Sequence, residues 1–127
     1  MPRMLLAGEK PLYWVGSSKS ELLAFPDRVV DEIGNALGVA QFGGRHPAAK
    51  SWKGEGPGVF EIVEHYSGNT YRAIYTVRFR QAIYVLHAVQ KKSPRGIRTP
   101  RVDVETVGRR LRAAQLDNES RYGPSKS

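Results

Sequence analysis

The basic side chains of this sequence are concentrated in one stretch, residues 90–112, where they could bind a polyanion. The stretch carries a net charge of +6, within a chain whose formal net charge is +8. Its basic residues are Lys91, Lys92, Arg95, Arg98, Arg101, Arg109, Arg110 and Arg112. Concentrated positive charge attracts anions more strongly than dispersed charge, and the planar fork of arginine matches phosphate oxygens. The pattern indicates a nucleic-acid-binding protein; the alternative is a solvated surface that only aids solubility.

Two arginines in a predicted strand, residues 71–79, are further candidates for binding phosphate. Strand alternation places Arg72 and Arg78 on one face and the apolar residues 71, 73, 75, 77 and 79 on the other. We expect the apolar face to pack on helices and the arginine face to point outward. At the usual rise of a strand, the two arginines are about 20 Å apart. They would therefore contact different phosphates.

A long glycine-rich segment, residues 43–58, is predicted to be a loop. Loops of this length inside a small domain are uncommon and are often functional. Lys50 and Lys53 lie in it, and we expect them to contact phosphate if the loop folds over a nucleic-acid groove. The same role is predicted for Arg78, Arg95 and Arg98.

The remaining pattern predicts an α+β fold. A short edge strand over residues 10–16 precedes a helix that ends near Phe25, and Ser18 with Glu21 has the spacing of a capping box. A second helix begins at Pro26 and ends at Gly43, and its apolar residues, among them Val29, Ile33 and Leu37, recur at three- and four-residue steps as a core-facing stripe. Three strands over 59–66, 71–79 and 82–90 form an antiparallel meander. A basic loop, a helix over 102–116 and a frayed tail over 117–127 complete the chain.

The composition is that of one globular domain. The chain has 127 residues, of which 40% are hydrophobic and 25% charged, and it contains no cysteine. The longest apolar runs are far shorter than the roughly 20 residues that a membrane span requires, and the N-terminal apolar stretch is too short for a signal peptide. We therefore expect a single cytoplasmic domain, 1–127, with its core at about 10–116.

Four sequence segments, in this order, resemble the RelE/ParE superfamily of bacterial toxins, and most closely its phage-derived HigB-like branch. They are "GPGVFEI", "YRAIYTV", "AIYVLHAVQKK" and the overlapping "HAVQKKSPR". The resemblance covers residues 10–116. It implies a RelE-like fold: an N-terminal strand and two helices packed on a mainly antiparallel sheet of about four strands, with a C-terminal helix. It further implies an mRNA endonuclease that usually acts at the ribosome, is held inactive by an antitoxin, and cleaves without metal or cofactor by attack of the RNA's own 2′-hydroxyl.

The resemblance also implies which residues carry this chemistry. Arg72 in "YRAIY" matches the superfamily's catalytic arginine, and a guanidinium suits the extra negative charge of a phosphate under attack. Lys91 and Lys92 match a basic pair at the end of the last strand. Because strand neighbours point to opposite faces, only one of these lysines is expected in the groove. The sequence departs from many relatives at Val63, where they carry a basic residue. It also has no assured match to the tyrosine or histidine that some relatives place near the C-terminus, because Tyr122 lies beyond the matched region.

Several other side chains have alternative interpretations. His65 and His87, on adjacent candidate strands, could form an acid–base pair, but a packed strand histidine is the more common case. Glu61 could act as a base, although a structural role such as pairing with Arg72 is favoured. Trp52 could stack on a base or fill the core.

Two other functions remain open at this point. A ParE-like protein would bind and inhibit gyrase without cleaving RNA. A phage-derived accessory protein would bind nucleic acid without catalysis.

Overall fold

The computed structural model describes residues 4–91 and 101–124 of the chain. Its elements in chain order are β1 (Leu12–Trp14), α1 (Ser18–Leu23), α2 (Asp27–Gln41), β2 (Ala49–Ser51), β3 (Val59–Tyr66), β4 (Asn69–Thr76), β5 (Ile83–Lys91) and α3 (Arg101–Tyr122). Arg95 and Arg98, like Lys92, lie outside the described residues. Within the described ranges, no helix is both long and apolar enough to cross a membrane.

The strands form one sheet in the order β1-β5-β4-β3-β2. The pairs β3–β4 and β4–β5 are antiparallel, which confirms the predicted meander, while β1 runs parallel to β5. The fifth strand, β2, lies inside the segment predicted to be a loop and pairs antiparallel with β3. Its three residues, flanked by glycines and prolines, are too few to show a strand pattern in sequence.

One face of the sheet packs against α1 and α2. The predicted stripe on α2 is confirmed, since Val29, Ile33 and Leu37 are all buried. They pack with the predicted apolar face of β4, which contributes Tyr71, Ala73 and Tyr75 to the same cluster. The first core layer therefore follows directly from the two sequence periodicities.

The other face of the sheet is covered in part by α3, which corrects the expectation that it points outward. Val107 and Leu111 of α3 pack on Ile74, Tyr84 and Leu86. The helix also runs to Tyr122, past its predicted end at residue 116. Its last turns are attached to the sheet by hydrogen bonds from side chains far apart in sequence, Tyr84 to Asp117 at 2.7 Å and Tyr13 with Tyr122 at 2.9 Å. Residues 117–122, which were predicted to belong to a frayed tail, are therefore part of α3.

A matched pair of glycine substitutions tests the backbone assignments. Gly34 is exposed in the middle of α2, and a Cβ there would meet no atom within 4 Å. Gly34→Ala should raise the free energy of unfolding by about 0.5–1 kcal/mol, because alanine loses less entropy in a helix. Urea denaturation measures the change, and an unaltered or lowered midpoint would contradict the assignment of α2.

At Gly58, in contrast to Gly34, a substitution is expected to destabilise the fold. Its φ is +87°, and a Cβ there would lie 3.2 Å from the Arg78 Cα. Gly58→Ala should lower the free energy of unfolding by about 1–3 kcal/mol, since an L side chain is strained at this φ.

Candidate nucleic-acid site

Arg72 lies on the α3 face of β4 and pairs with Glu61 of β3. Its Nη1 donates to Glu61 Oε2 at 2.9 Å, and the two side chains are only 12% and 13% exposed. The residues are diagonal neighbours, because Glu61 lies opposite Ile74 and Arg72 opposite Val63. Arg72 Nε is buried and has no acceptor among the described residues. The guanidinium therefore keeps an unused donor beside its ion pair.

Lys91 ends β5 on the same face as Arg72. Arg72 lies opposite Val89, and Lys91 lies two residues further along β5, so both side chains project to one side. Lys91 is only 7% exposed. Burial lowers the pKa of its ammonium and the charge of Arg72 lowers it further, while Asp103 and Glu61 oppose the shift. The strand geometry thus brings two predicted site residues, Arg72 and Lys91, to the same face of the sheet.

Lys50 and Lys53 are exposed near the β2 edge of the sheet. Lys50 lies in β2 directly opposite Glu61, so its side chain leaves the sheet on the Arg72 face. Lys53 follows β2 in the connection to β3. Both remain accessible to a nucleic acid, as the predicted role requires.

Arg78 is bound to the protein's own backbone. The residue lies beyond the end of β4 at Thr76, so the predicted strand over residues 71–79 is too long. Its Nε donates to the Pro57 carbonyl at 3.2 Å, and its Nη2 donates to the carbonyls of Pro57 and Glu55. Arg78 therefore stabilises the loop between β2 and β3, and its Nε and Nη2 donors are already used in hydrogen bonds within the protein.

A buried ionic cluster, absent from the sequence expectations, joins α1, β5 and α3. Arg110 donates to both carboxylate oxygens of Glu21, at 2.9 and 3.0 Å, and to the Leu86 carbonyl. The ring nitrogens of His87 lie 2.9 Å from Glu21 and 2.6 Å from Asp103. No local pattern could have revealed contacts between residues so far apart in sequence.

This cluster replaces the predicted capping box. Ser17, not Ser18, is the N-cap residue of α1, and no side-chain cap hydrogen bond forms. Ser18 donates instead to the Val85 carbonyl, and Glu21 accepts from the Ala88 N–H and from Arg110. The capping interpretation is therefore wrong, since the tertiary partners of Glu21 outweigh its local one.

With this geometry in place, the chain can be compared with known proteins. The family described as "Phage derived protein Gp49-like" matches residues 20–112, which is most of the chain. The chain belongs to this family. The assignment confirms the resemblance to the phage-derived, HigB-like branch, and the protein is a toxin of the RelE superfamily.

Comparison with curated proteins and solved structures adds little detail. No curated protein matches the chain. The toxin–antitoxin complex RelBE2 from Mycobacterium tuberculosis is a structural neighbour at 18% identity and a TM-score of 0.42, covering 67% of this chain and 94% of the other.

The remaining candidates in this Gp49-like toxin have structural roles. His65 is exposed and contacts Thr70, whereas His87 is buried in the ionic cluster on the other side of β4, so the two do not form a pair. Trp52 is buried in the second core, which supports the core interpretation over stacking. Among the described residues, no group of three or more histidine, aspartate or glutamate side chains is arranged to hold a metal ion.

The ionic cluster predicts a specific loss of stability in acid. Burial opposes ionisation of Glu21, but hydrogen bonds from Arg110, Ala88 and Ser17 outweigh it and lower the pKa from 4.5 to about 2. A lowered folded-state pKa contributes stability above the unfolded value, and this contribution is lost as the pH falls from about 4.5 to about 2. Glu21→Gln should destabilise the toxin by about 1–3 kcal/mol at pH 7 and flatten this part of the stability curve.

Thermal unfolding from pH 7 to pH 2 measures the effect. The exposed Glu105→Gln, whose carboxylate pairs with Arg101 one turn away on the same helix, is the matched control and should change little. If the unfolding temperatures of the wild type and Glu21→Gln fall equally between pH 4.5 and pH 2, the role assigned to the cluster is contradicted.

Proposed function

We propose that this toxin is a metal-free endoribonuclease that cleaves translated mRNA at the ribosome and is neutralised by a cognate antitoxin, a helix-turn-helix protein. The observation that supports the proposal most directly is the placement of Arg72 and Lys91 on one face of adjacent strands. They are two of the three residues, with Lys92, that the superfamily resemblance marks as catalytic. Arg72 Nε is buried and has no acceptor among the described residues, so the guanidinium has hydrogen-bonding capacity that its ion pair does not use.

The proposed reaction forms one bond and breaks one. The 2′-oxygen of the RNA attacks the adjacent phosphorus, and the bond from phosphorus to the 5′-oxygen of the next nucleotide breaks. The products are a 2′,3′-cyclic phosphate and a free 5′-hydroxyl. One proton must leave the 2′-hydroxyl and one must reach the 5′-oxygen, so neither metal nor redox cofactor is required.

Arg72 and Lys91 divide this work. The Arg72 fork offers donors to the non-bridging oxygens, where charge increases as the phosphate becomes five-coordinate. Lys91 has a lowered pKa, and a group that exchanges its proton closer to neutral pH is a better acid–base catalyst. Lys92, the next residue in the sequence, is proposed to add positive charge, and Lys53, Arg78, Arg95 and Arg98 are proposed to bind the RNA backbone.

Substitution of Arg72 tests the proposed activity. Arg72→Ala should reduce cleavage of mRNA by about 100-fold or more, because the donors for the transition-state charge are lost. Arg109→Ala is the matched control, since Arg109 is exposed on α3 and lies outside the proposed reaction centre. Circular dichroism and thermal unfolding verify that both variants fold, and primer extension on translated messages measures cleavage.

Three outcomes would contradict the ribonuclease proposal. They are full cleavage by Arg72→Ala, a folded wild type that cleaves no message with or without ribosomes, and growth arrest with intact messages and DNA damage signalling. The last would indicate gyrase inhibition.

The pH dependence of cleavage tests Lys91. The lowered pKa should place the alkaline change in rate below the ordinary lysine value of 10.5. Lys91→Arg keeps the charge but resists deprotonation, so this change should disappear from the profile of the variant. Single-turnover rates from pH 6 to pH 10 measure it, and identical profiles for the two proteins would show that Lys91 transfers no proton.

A further inference from the structure

The ion pair of Arg72 with Glu61 conflicts with the role proposed for Arg72. The carboxylate occupies Nη1 at 2.9 Å, where an RNA phosphate would otherwise bind. A phosphate that approached with Glu61 in place would also meet a second anion within the partly buried site. A phosphate that takes this Nη1 donor must therefore displace Glu61 from it.

Lys50 lies where a displaced Glu61 carboxylate could go. It is directly opposite Glu61 across β2 and β3, and directly opposite residues in an antiparallel pair have Cβ atoms about 4.5–5.5 Å apart. Lys50 is exposed, and its side chain makes no ion pair or hydrogen bond within the described residues. Rotation of the Glu61 side chain is sufficient to bring its carboxylate to the ammonium, with no movement of the strands.

We propose that Glu61 exchanges partners, leaving Arg72 for Lys50 when an RNA phosphate binds to Arg72. Glu61 is then a competitor for the phosphate site built into the chain, and Lys50 is a positioning residue that acts through Glu61. This differs from the direct phosphate contact expected for Lys50 from the sequence. The inference rests on the proposed binding of RNA by Arg72, but it does not depend on cleavage.

The exchange has an electrostatic reason. Arg72 and Lys91 are two cations on one face of adjacent strands, both largely buried, and without RNA an anion is needed beside them. Glu61 supplies it. When a phosphate takes over that role, Glu61 is left as an excess negative charge, and Lys50 at the exposed edge offsets it.

A double-mutant cycle on Lys50 and Glu61 tests the proposal. The probe is an oligoribonucleotide methylated at its 2′-oxygens, which lacks the attacking hydroxyl and cannot be cleaved. Fluorescence anisotropy at fixed ionic strength gives its dissociation constant for the wild type, Glu61→Gln, Lys50→Met and the double variant.

Glu61→Gln should bind the probe about 5-fold more tightly, because the competing carboxylate is gone, and Lys50→Met should bind it about 5-fold more weakly. In the Glu61→Gln background the Lys50→Met change should have no effect. Lys53→Met is the matched control, since a lysine that contacts phosphate directly weakens binding equally in both backgrounds.

An equal effect of Lys50→Met in the two backgrounds would show a direct phosphate contact and overturn the exchange. Unchanged binding by Glu61→Gln would also overturn it. No binding by the wild type would remove both this inference and the proposed RNA site, whereas binding without cleavage of ordinary RNA would contradict only the ribonuclease.

A crystal structure of the wild type with the methylated probe keeps the inference testable if Glu61→Gln does not fold. A distance below 4 Å from Lys50 Nζ to the Glu61 carboxylate supports the exchange. Glu61 still bound to Arg72, with the phosphate elsewhere, overturns it.

Discussion

The carboxylate of Glu21 is the group at which α3 is joined to both α1 and the sheet. It accepts two parallel hydrogen bonds from Arg110 of α3 and a third from the Ala88 N–H of β5, so α1, β5 and α3 are fixed to one another at this group. His87 adds a second link, from Glu21 to Asp103 near the start of α3. A carboxylate only accepts, so both His87 contacts are hydrogen bonds when both ring nitrogens carry protons. Because the helix is held along β5, Arg72 and Glu61 on the neighbouring strands remain partly exposed.

In the candidate site, the carboxylate that stabilises the buried cations also competes with the phosphate that they are proposed to bind. Two cations lie close together in a largely buried setting, which is unfavourable unless an anion accompanies them. Glu61 provides that anion and so stabilises the folded toxin without RNA. The same carboxylate occupies one of the donors, Arg72 Nη1, that a phosphate would use. Sites that bind a charged ligand commonly show this compromise, because an arrangement complementary to the ligand is strained or repulsive without it.

Much of the fold follows from periodicity, but the site depends on contacts that periodicity does not encode. Alternation in β4 placed Arg72 on the face opposite Tyr71, and the stripe on α2 identified the first core layer. The second layer was missed although the helix over residues 102–116 was predicted, because the arginine-bearing face of β4 was expected to point outward. A Cβ at Gly108 would lie 2.8 Å from Glu55 Oε2, so this glycine marks a close approach of the loop between β2 and β3. Such an approach is visible only in three dimensions.

The basic stretch over residues 90–112 shows why net charge alone is a poor guide to a binding surface. Arg110 points inward to Glu21, and Arg101 is paired with Glu105 on the outside of α3. Arg109 and Arg112 are exposed, and neither forms an ion pair within the described ranges. Positive charge of this exposed kind speeds the approach of a polyanion and makes binding depend on salt. The proposed chemistry depends instead on Arg72 and Lys91, whose burial would exclude competing water and strengthen an interaction with phosphate. The charge proposed to attract RNA and the charge proposed to act on it are therefore carried by different residues.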